Sequence, residues 1–111
     1  MEHRYTERKP VDFSVVVTCP RVGLFRGLAR DVSLGGMKVQ SDCVLIPMHA
    51  PVMVSFQPDP DDARHCMQAK GMVIHQRGNA FGLMFDDLEP ACAEALRTLM
   101  IGLKEELALH A

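Results

Sequence analysis

Tryptophan is absent from the 111-residue sequence, tyrosine occurs once and phenylalanine five times. A module that grips single-stranded nucleic acid by stacking bases on exposed aromatics therefore has little to stack with. Excess positive charge is also missing. Twelve Lys and Arg face 14 Asp and Glu, a formal net charge of −2, which excludes a polycation that coats nucleic acid or anionic lipid by charge alone. Apolar runs are short: Val15-Val16-Val17 and Val44-Leu45-Ile46 end after a few residues, far from the ~20 a membrane-spanning helix needs. The opening Met1-Glu2-His3-Arg4-Tyr5 is charged and lacks the apolar core of a signal peptide, so a cytoplasmic location without membrane insertion is expected.

Metal and catalytic signatures are missing too. Cys19, Cys43, Cys66 and Cys92 form no Cys-x-x-Cys pair, and a zinc-ribbon reading fails on spacing. They read as small apolar residues kept reduced. There is no Gly-x-Ser-x-Gly, no Walker loop and no His-Glu-x-x-His. His65 and Cys66 are strand neighbours and point to opposite faces, so they cannot act as a base–nucleophile pair. Asp86, Asp87 and Glu89 stand at a strand–helix junction, where carboxylates are ordinarily capping groups. The expectation is a protein that is not an enzyme and uses no metal or cofactor.

What is present suits one ordinary domain: 48% hydrophobic and 23% charged residues, in a length that buries about 60–70% of its unfolded surface. The charge is unevenly spread. Residues 1–38 hold seven bases and four acids, whereas the remainder holds five bases and ten acids. A +3 segment thus precedes a −5 body, and an anionic partner is to be sought in the first third.

Hydropathy patterning predicts six strands and a helix. Apolar–polar alternation and β-branched residues mark Val11–Cys19, Leu24–Val32, Met37–Gln40, Pro51–Gln57, His65–Gln76 and Ala80–Phe85. Met67, Ala69, Gly71, Val73 and His75 are expected on one face of the fifth. Pro20-Arg21-Val22-Gly23, Ser33-Leu34-Gly35-Gly36 and Gly78-Asn79 are turn signals, and Pro58-Asp59-Pro60 cannot pair in a ladder. From Glu89 the period changes. Cys92, Leu96, Leu99, Met100, Leu103 and Leu107 recur at three and four, predicting an amphipathic helix over 89–109 with Asp86 or Asp87 as cap and Pro90 in its first turn. Strands at this spacing suggest a small antiparallel barrel with the helix plugging one end or lying on its wall. Residues 1–11 are expected to be a flexible N-terminal segment and 12–111 the barrel and helix.

Two features of the basic third carry chemistry. Arg4-x-x-x-Arg8 precedes the first strand, and Asp31-Val32-Ser33-Leu34-Gly35-Gly36 joins the second to the third. Taken alone, the first is a pair of solvated arginines and the second a tight turn whose glycines supply positive φ. Together they suit a guanine nucleotide. Guanine O6 and N7 accept from an arginine fork, while its N–H edge donates to a carboxylate such as Asp31, with the Ser33 hydroxyl nearby. Arginine also pairs phosphate, and the glycines let the backbone approach.

In this order, on this strand pattern, the two motifs resemble the bipartite signature of the PilZ domain family. Ala29-Arg30-Asp31-Val32-Ser33-Leu34-Gly35-Gly36-Met37 and Phe81-Gly82-Leu83-Met84-Phe85 agree with it. The resemblance implies an all-β-dominated fold: a six-stranded antiparallel barrel with a C-terminal helix, acting as a bacterial cytoplasmic receptor for the second messenger cyclic di-GMP. Arg4 and Arg8 would then clamp guanine and phosphate. Asp31 and Ser33 would hold a guanine, with Gly35 and Gly36 keeping the turn close to it. Further candidates are His3, just before the first arginine, Lys9, and His75, which stands where family members often carry Trp. An effector protein would receive the signal; nucleic acid is not an expected partner. Two other readings are a PilZ-fold adaptor without nucleotide, whose known examples generally lack the arginine pair, and a small-barrel binder of single-stranded nucleic acid.

Overall fold

The computed structural model describes residues 8–42, 46–57 and 66–109, with side chains described as far as Met100. The six strands are β1 (Lys9–Cys19), β2 (Gly23–Val32), β3 (Gly36–Gln40), β4 (Pro51–Phe56), β5 (Met67–Arg77) and β6 (Ala80–Phe85), followed by helix α1 (Pro90–Leu109). The strands close into an antiparallel barrel in the order β1-β2-β3-β6-β5-β4, with β4 returning to pair with β1. Closure leaves these strands no unpaired edge.

Local chemistry explains the tight turns. In the β1–β2 connection the Val22 N–H donates to the Cys19 carbonyl at 3.0 Å, and Gly23 takes φ 108°. Pro20 stands at the second position of that turn, where its fixed φ suits the geometry. Gly78 and Asn79 join Arg77 to its partner Ala80. Positive φ falls on Gly78 alone, at 61°, the φ signature of a type II′ hairpin.

Alternation sends Val15, Val17, Val54, Phe56, Ala69, Val73, Phe81 and Leu83 into the barrel, each at most 2% exposed. Phe13 stacks on Phe56 with ring centroids 5.7 Å apart, and Phe25 meets Phe81 edge-on at 6.2 Å. Burying one such aliphatic or aromatic side chain contributes about 1.5–3 kcal/mol. Helix α1 packs against β5 and buries Cys92 and Leu96 at 2% and 0% exposure, with Leu99 half-buried against the core. The inward leucine face is therefore real as far as it is described; the Leu103 and Leu107 side chains lie outside the described residues.

Three register shifts break the ladders. Between β1 and β2 the extra residue falls on β1 between Pro10 and Phe13; between β2 and β3 it is Arg30; between β5 and β6 it is Ile74. Each bulge inverts the in–out phase of the residues beyond it. His75 is the clearest consequence. Expected on the same face as Val73, it is exposed, because the bulge at Ile74 turns it away from that face.

Other boundaries moved for identifiable reasons. β1 starts at Lys9 rather than Val11, since Lys9 pairs with Val32 and Pro10 with Asp31. Residues 9–11, expected in the flexible segment, thus belong to β1, with Lys9 and Pro10 paired to β2 and Val11 in the register shift; the part of that segment up to Glu7 lies outside the described residues. At α1 the Ala93 N–H donates to the Glu89 carbonyl at 2.9 Å. Glu89 therefore holds the N-cap position expected for Asp86 or Asp87, and Pro90 opens the helix.

Candidate functional site

The β2–β3 turn is built around one hydroxyl. Ser33 Oγ accepts the N–H groups of Gly35 and Gly36, both at 3.1 Å, and lies 3.5 Å from the Gly36 carbonyl. The Ser33 N–H donates to that same carbonyl at 2.9 Å, and the residue is 2% exposed. Ser33 is occupied as the internal brace of the turn. The Gly35 carbonyl accepts from the Phe85 N–H at 2.8 Å, which pins the turn to the end of β6. A Cβ at Gly36 would stand 2.2 Å from the Leu83 carbonyl oxygen, so only glycine lets β3 approach β6 this closely. Close approach, not the expected positive φ, is what Gly36 supplies.

Asp31 reaches the outer surface through the bulge beside it. Ala29 and Val32 both point inward at 0% exposure, three residues apart, leaving Arg30 exposed and Asp31 half-buried between them. The pairing of Lys9 with Val32 brings the residue before it, Arg8, alongside this turn. Arg8 Nη1 forms an ion pair with Asp31 Oδ1, their side chains 41% and 24% exposed. Neighbouring Arg30 is drawn off to Asp12 at 3.6 Å.

Arg8 and the Ser33–Gly36 turn line an open groove of about 960 Å³. Ile74, Leu83 and Met84 supply an apolar floor, and the rest of the lining comes from Phe85–Leu88 with Ala93 and Arg97 of α1. This volume is in the range of small-molecule sites. Arginines with carboxylates over an apolar floor can pair anionic oxygens, accept N–H donors and cover a flat ring.

The other expected residues fall in different places. Gly35 and Gly36 line the groove with Ser33. Lys9 is half-buried at the start of β1, outside the groove lining. His75 does not line it either: its imidazole covers the Gly82 backbone, where an added Cβ would be 2.2 Å from Nε2. The bulge gives the groove Ile74 instead. Arg4 and His3 lie outside the described residues. Sequence reasoning missed Arg97, Ile74 and Met84, and took Asp86 and Asp87 only as capping groups. No local pattern marks these residues, since their meeting depends on where α1 docks.

Among the described residues no group of three or more His, Cys, Asp or Glu is arranged to hold a metal ion, and no helix is long and apolar enough to cross a membrane. Burial, then the charge of Glu89, pushes the Cys92 thiol above its ordinary pKa. It is a protonated, inert core residue.

Solved structures resemble this fold. The PilZ domain of CeSA from a cellulose-synthesizing bacterium superposes with a TM-score of 0.69 at 17% identity, covering 88% of this chain and 98% of that one. The Bacillus subtilis inhibitor of motility (MotI/DgrA) gives 0.68 at 15% identity, covering 91% of this chain and 50% of that longer one. An uncharacterized Legionella protein gives 0.56 at 15% identity, with coverages of 92% and 98%. No curated protein sequence matches the chain significantly. The sequence model of the PilZ domain matches residues 2–102. With that match over nearly the whole chain, on a closed six-stranded barrel with a C-terminal helix, the protein belongs to the PilZ domain family, whose members generally serve as non-catalytic cyclic di-GMP receptors or adaptors.

Proposed function

We propose that the protein is a non-catalytic bacterial receptor that binds cyclic di-GMP through Arg4, Arg8 and the Asp31-x-Ser33-x-x-Gly36 turn and passes the signal to a protein partner. The observation that carries the reading is the Arg8–Asp31 pair, in which Arg8 lines the groove and Asp31, itself outside the lining, holds it beside the turn. These are the two groups a guanine nucleotide would exchange for its own contacts. Arg8 turns to guanine O6/N7 or a phosphate oxygen, and Asp31 accepts from the guanine N–H edge.

Magnitudes favour the exchange. A partly exposed ion pair is worth about 0–1 kcal/mol, whereas each charge-assisted hydrogen bond to a ligand contributes about 1.5–3 kcal/mol. Ser33 and Gly36 act one step back, holding the turn in place, and Gly35 keeps the turn free of side-chain bulk. Arg4 adds the second arginine of the clamp, with His3 and Lys9 beside it. His75 is available at the margin through its exposed imidazole. Binding would fix the segment carrying Arg4 against the barrel and create a surface for the partner.

One structurally similar domain comes from a cellulose-synthesizing bacterium and another protein is named an inhibitor of motility, and a small receptor acting through a partner fits either setting. Calorimetric titration with cyclic di-GMP tests the assignment. The wild type should bind, and Arg8→Ala and Asp31→Ala should each lose about tenfold or more. Wild-type affinity in both variants would remove it, and absence of any heat with the wild type would leave the nucleotide-free adaptor.

A further inference from the structure

The paired motifs account for only part of the groove lining. The rest includes the segment after β6 and the first turns of α1, and Arg97 is its basic residue. Its position follows from helix geometry. Cys92 and Leu96, four residues apart, are the buried anchors of α1. Ala93 and Arg97 each follow an anchor by one residue, a rotation of about 100° that carries both from the barrel contact to the groove. Ala93 leaves only a methyl group one turn below the guanidinium, so the space in front of it stays open.

Arg97 is also available. Its side chain is 53% exposed and pairs with Glu94 at 3.3 Å, an i,i+3 surface contact that is weak and readily exchanged. Asp86 and Asp87 line the same groove as Arg97 and Arg8. Two cations and two carboxylates in one groove complement a ligand whose anionic phosphodiesters alternate with guanine N–H donors.

We propose that Arg97 is a ligand-binding residue of the same site, a phosphate-pairing arginine contributed by α1 and covered by neither motif. The inference rests on the cyclic di-GMP reading above. The nucleotide then bridges the β2–β3 turn and the C-terminal helix, so that its arrival is felt by both elements.

The test is a calorimetric titration of the full chain with cyclic di-GMP, with thermal midpoints recorded without ligand. Arg97→Ala should bind about ten- to a hundredfold more weakly, with an unchanged midpoint. Arg97→Lys should recover part of the loss, because an ammonium keeps the charge without the fork. Glu94→Gln breaks the same intrahelical pair but frees Arg97, and should bind at least as tightly as the wild type. Wild-type affinity in Arg97→Ala, while Arg8→Ala is impaired, overturns the inference and leaves the receptor reading standing. Equal losses in Arg97→Ala and Glu94→Gln also overturn it, since they would assign the effect to helix stability. A wild-type chain that fails to bind cyclic di-GMP removes the receptor reading itself.

Discussion

Asp31 and Ser33 stand two residues apart in one motif and are bound into the structure differently. The Asp31 carboxylate is partly exposed and holds one exchangeable partner, Arg8, whereas the Ser33 hydroxyl is buried and satisfies two backbone N–H groups. Substitutions should separate binding from stability accordingly. Asp31→Ala costs about 0–1 kcal/mol of folding free energy. Ser33→Ala strands two N–H donors and is expected to cost about 1–3 kcal/mol. Gly36→Ala forces a Cβ against the Leu83 carbonyl and is expected to cost about 1–3 kcal/mol of strain. Urea denaturation of the three variants checks the order; a Ser33→Ala midpoint equal to that of the wild type would show that the hydroxyl is not the brace. Each residue type was legible from the motif, but the division of labour was not. Sequence says that a serine is required there without saying which way its oxygen points.

At the level of elements, strand identity and bulge position had different visibility. β-branched alternation located all six strands, and β6 has the expected bounds Ala80–Phe85. A bulge leaves no such mark, because one unpaired residue in an alternating run looks like any other until its partner strand is known. His75 shows the effect. Alternation from Val73 puts it in the core, and the bulge at Ile74 puts it on the surface over Gly82. His75→Gln is therefore expected to change stability by no more than about 0.5 kcal/mol, as surface substitutions do. A loss of several kcal/mol in thermal or urea unfolding would instead place the imidazole in the core. The bulge at Arg30 works to the site's advantage, since without it Asp31 would follow Ala29 into the barrel.

For the whole molecule, the decisive event is the docking of α1 on the closed barrel, which adds Ala93 and Arg97 to the groove beside the β2–β3 turn. Cys92 lies at that junction, buried and with its thiol pKa raised, while Cys66 is exposed just before β5. In native protein near neutral pH, iodoacetamide should modify Cys66 well before Cys92, read by mass spectrometry of the separate peptides. Similar rates at both would mean that the helix does not stay docked. The pH dependence follows from the direction of the shift. The folded state holds the Cys92 proton more tightly than the unfolded chain, so this contribution to stability is complete below the ordinary thiol range. It falls as pH rises through that range toward the raised value.

The sequence by itself determined the strand and helix inventory, the tight turns and the motif that names the family. All of these depend on residues near one another in the chain, through side-chain alternation, backbone φ preferences and hydrogen bonds within a few residues. Only the tertiary structure decided the phase of the bulged strands, the Arg8–Asp31 pairing across 22 intervening residues and the placement of Arg97 in the same groove as Arg8. Those depend on which strand pairs with which and on where α1 comes to rest. Such contacts are selected by burial of the whole core, and no local stretch of chain encodes them alone.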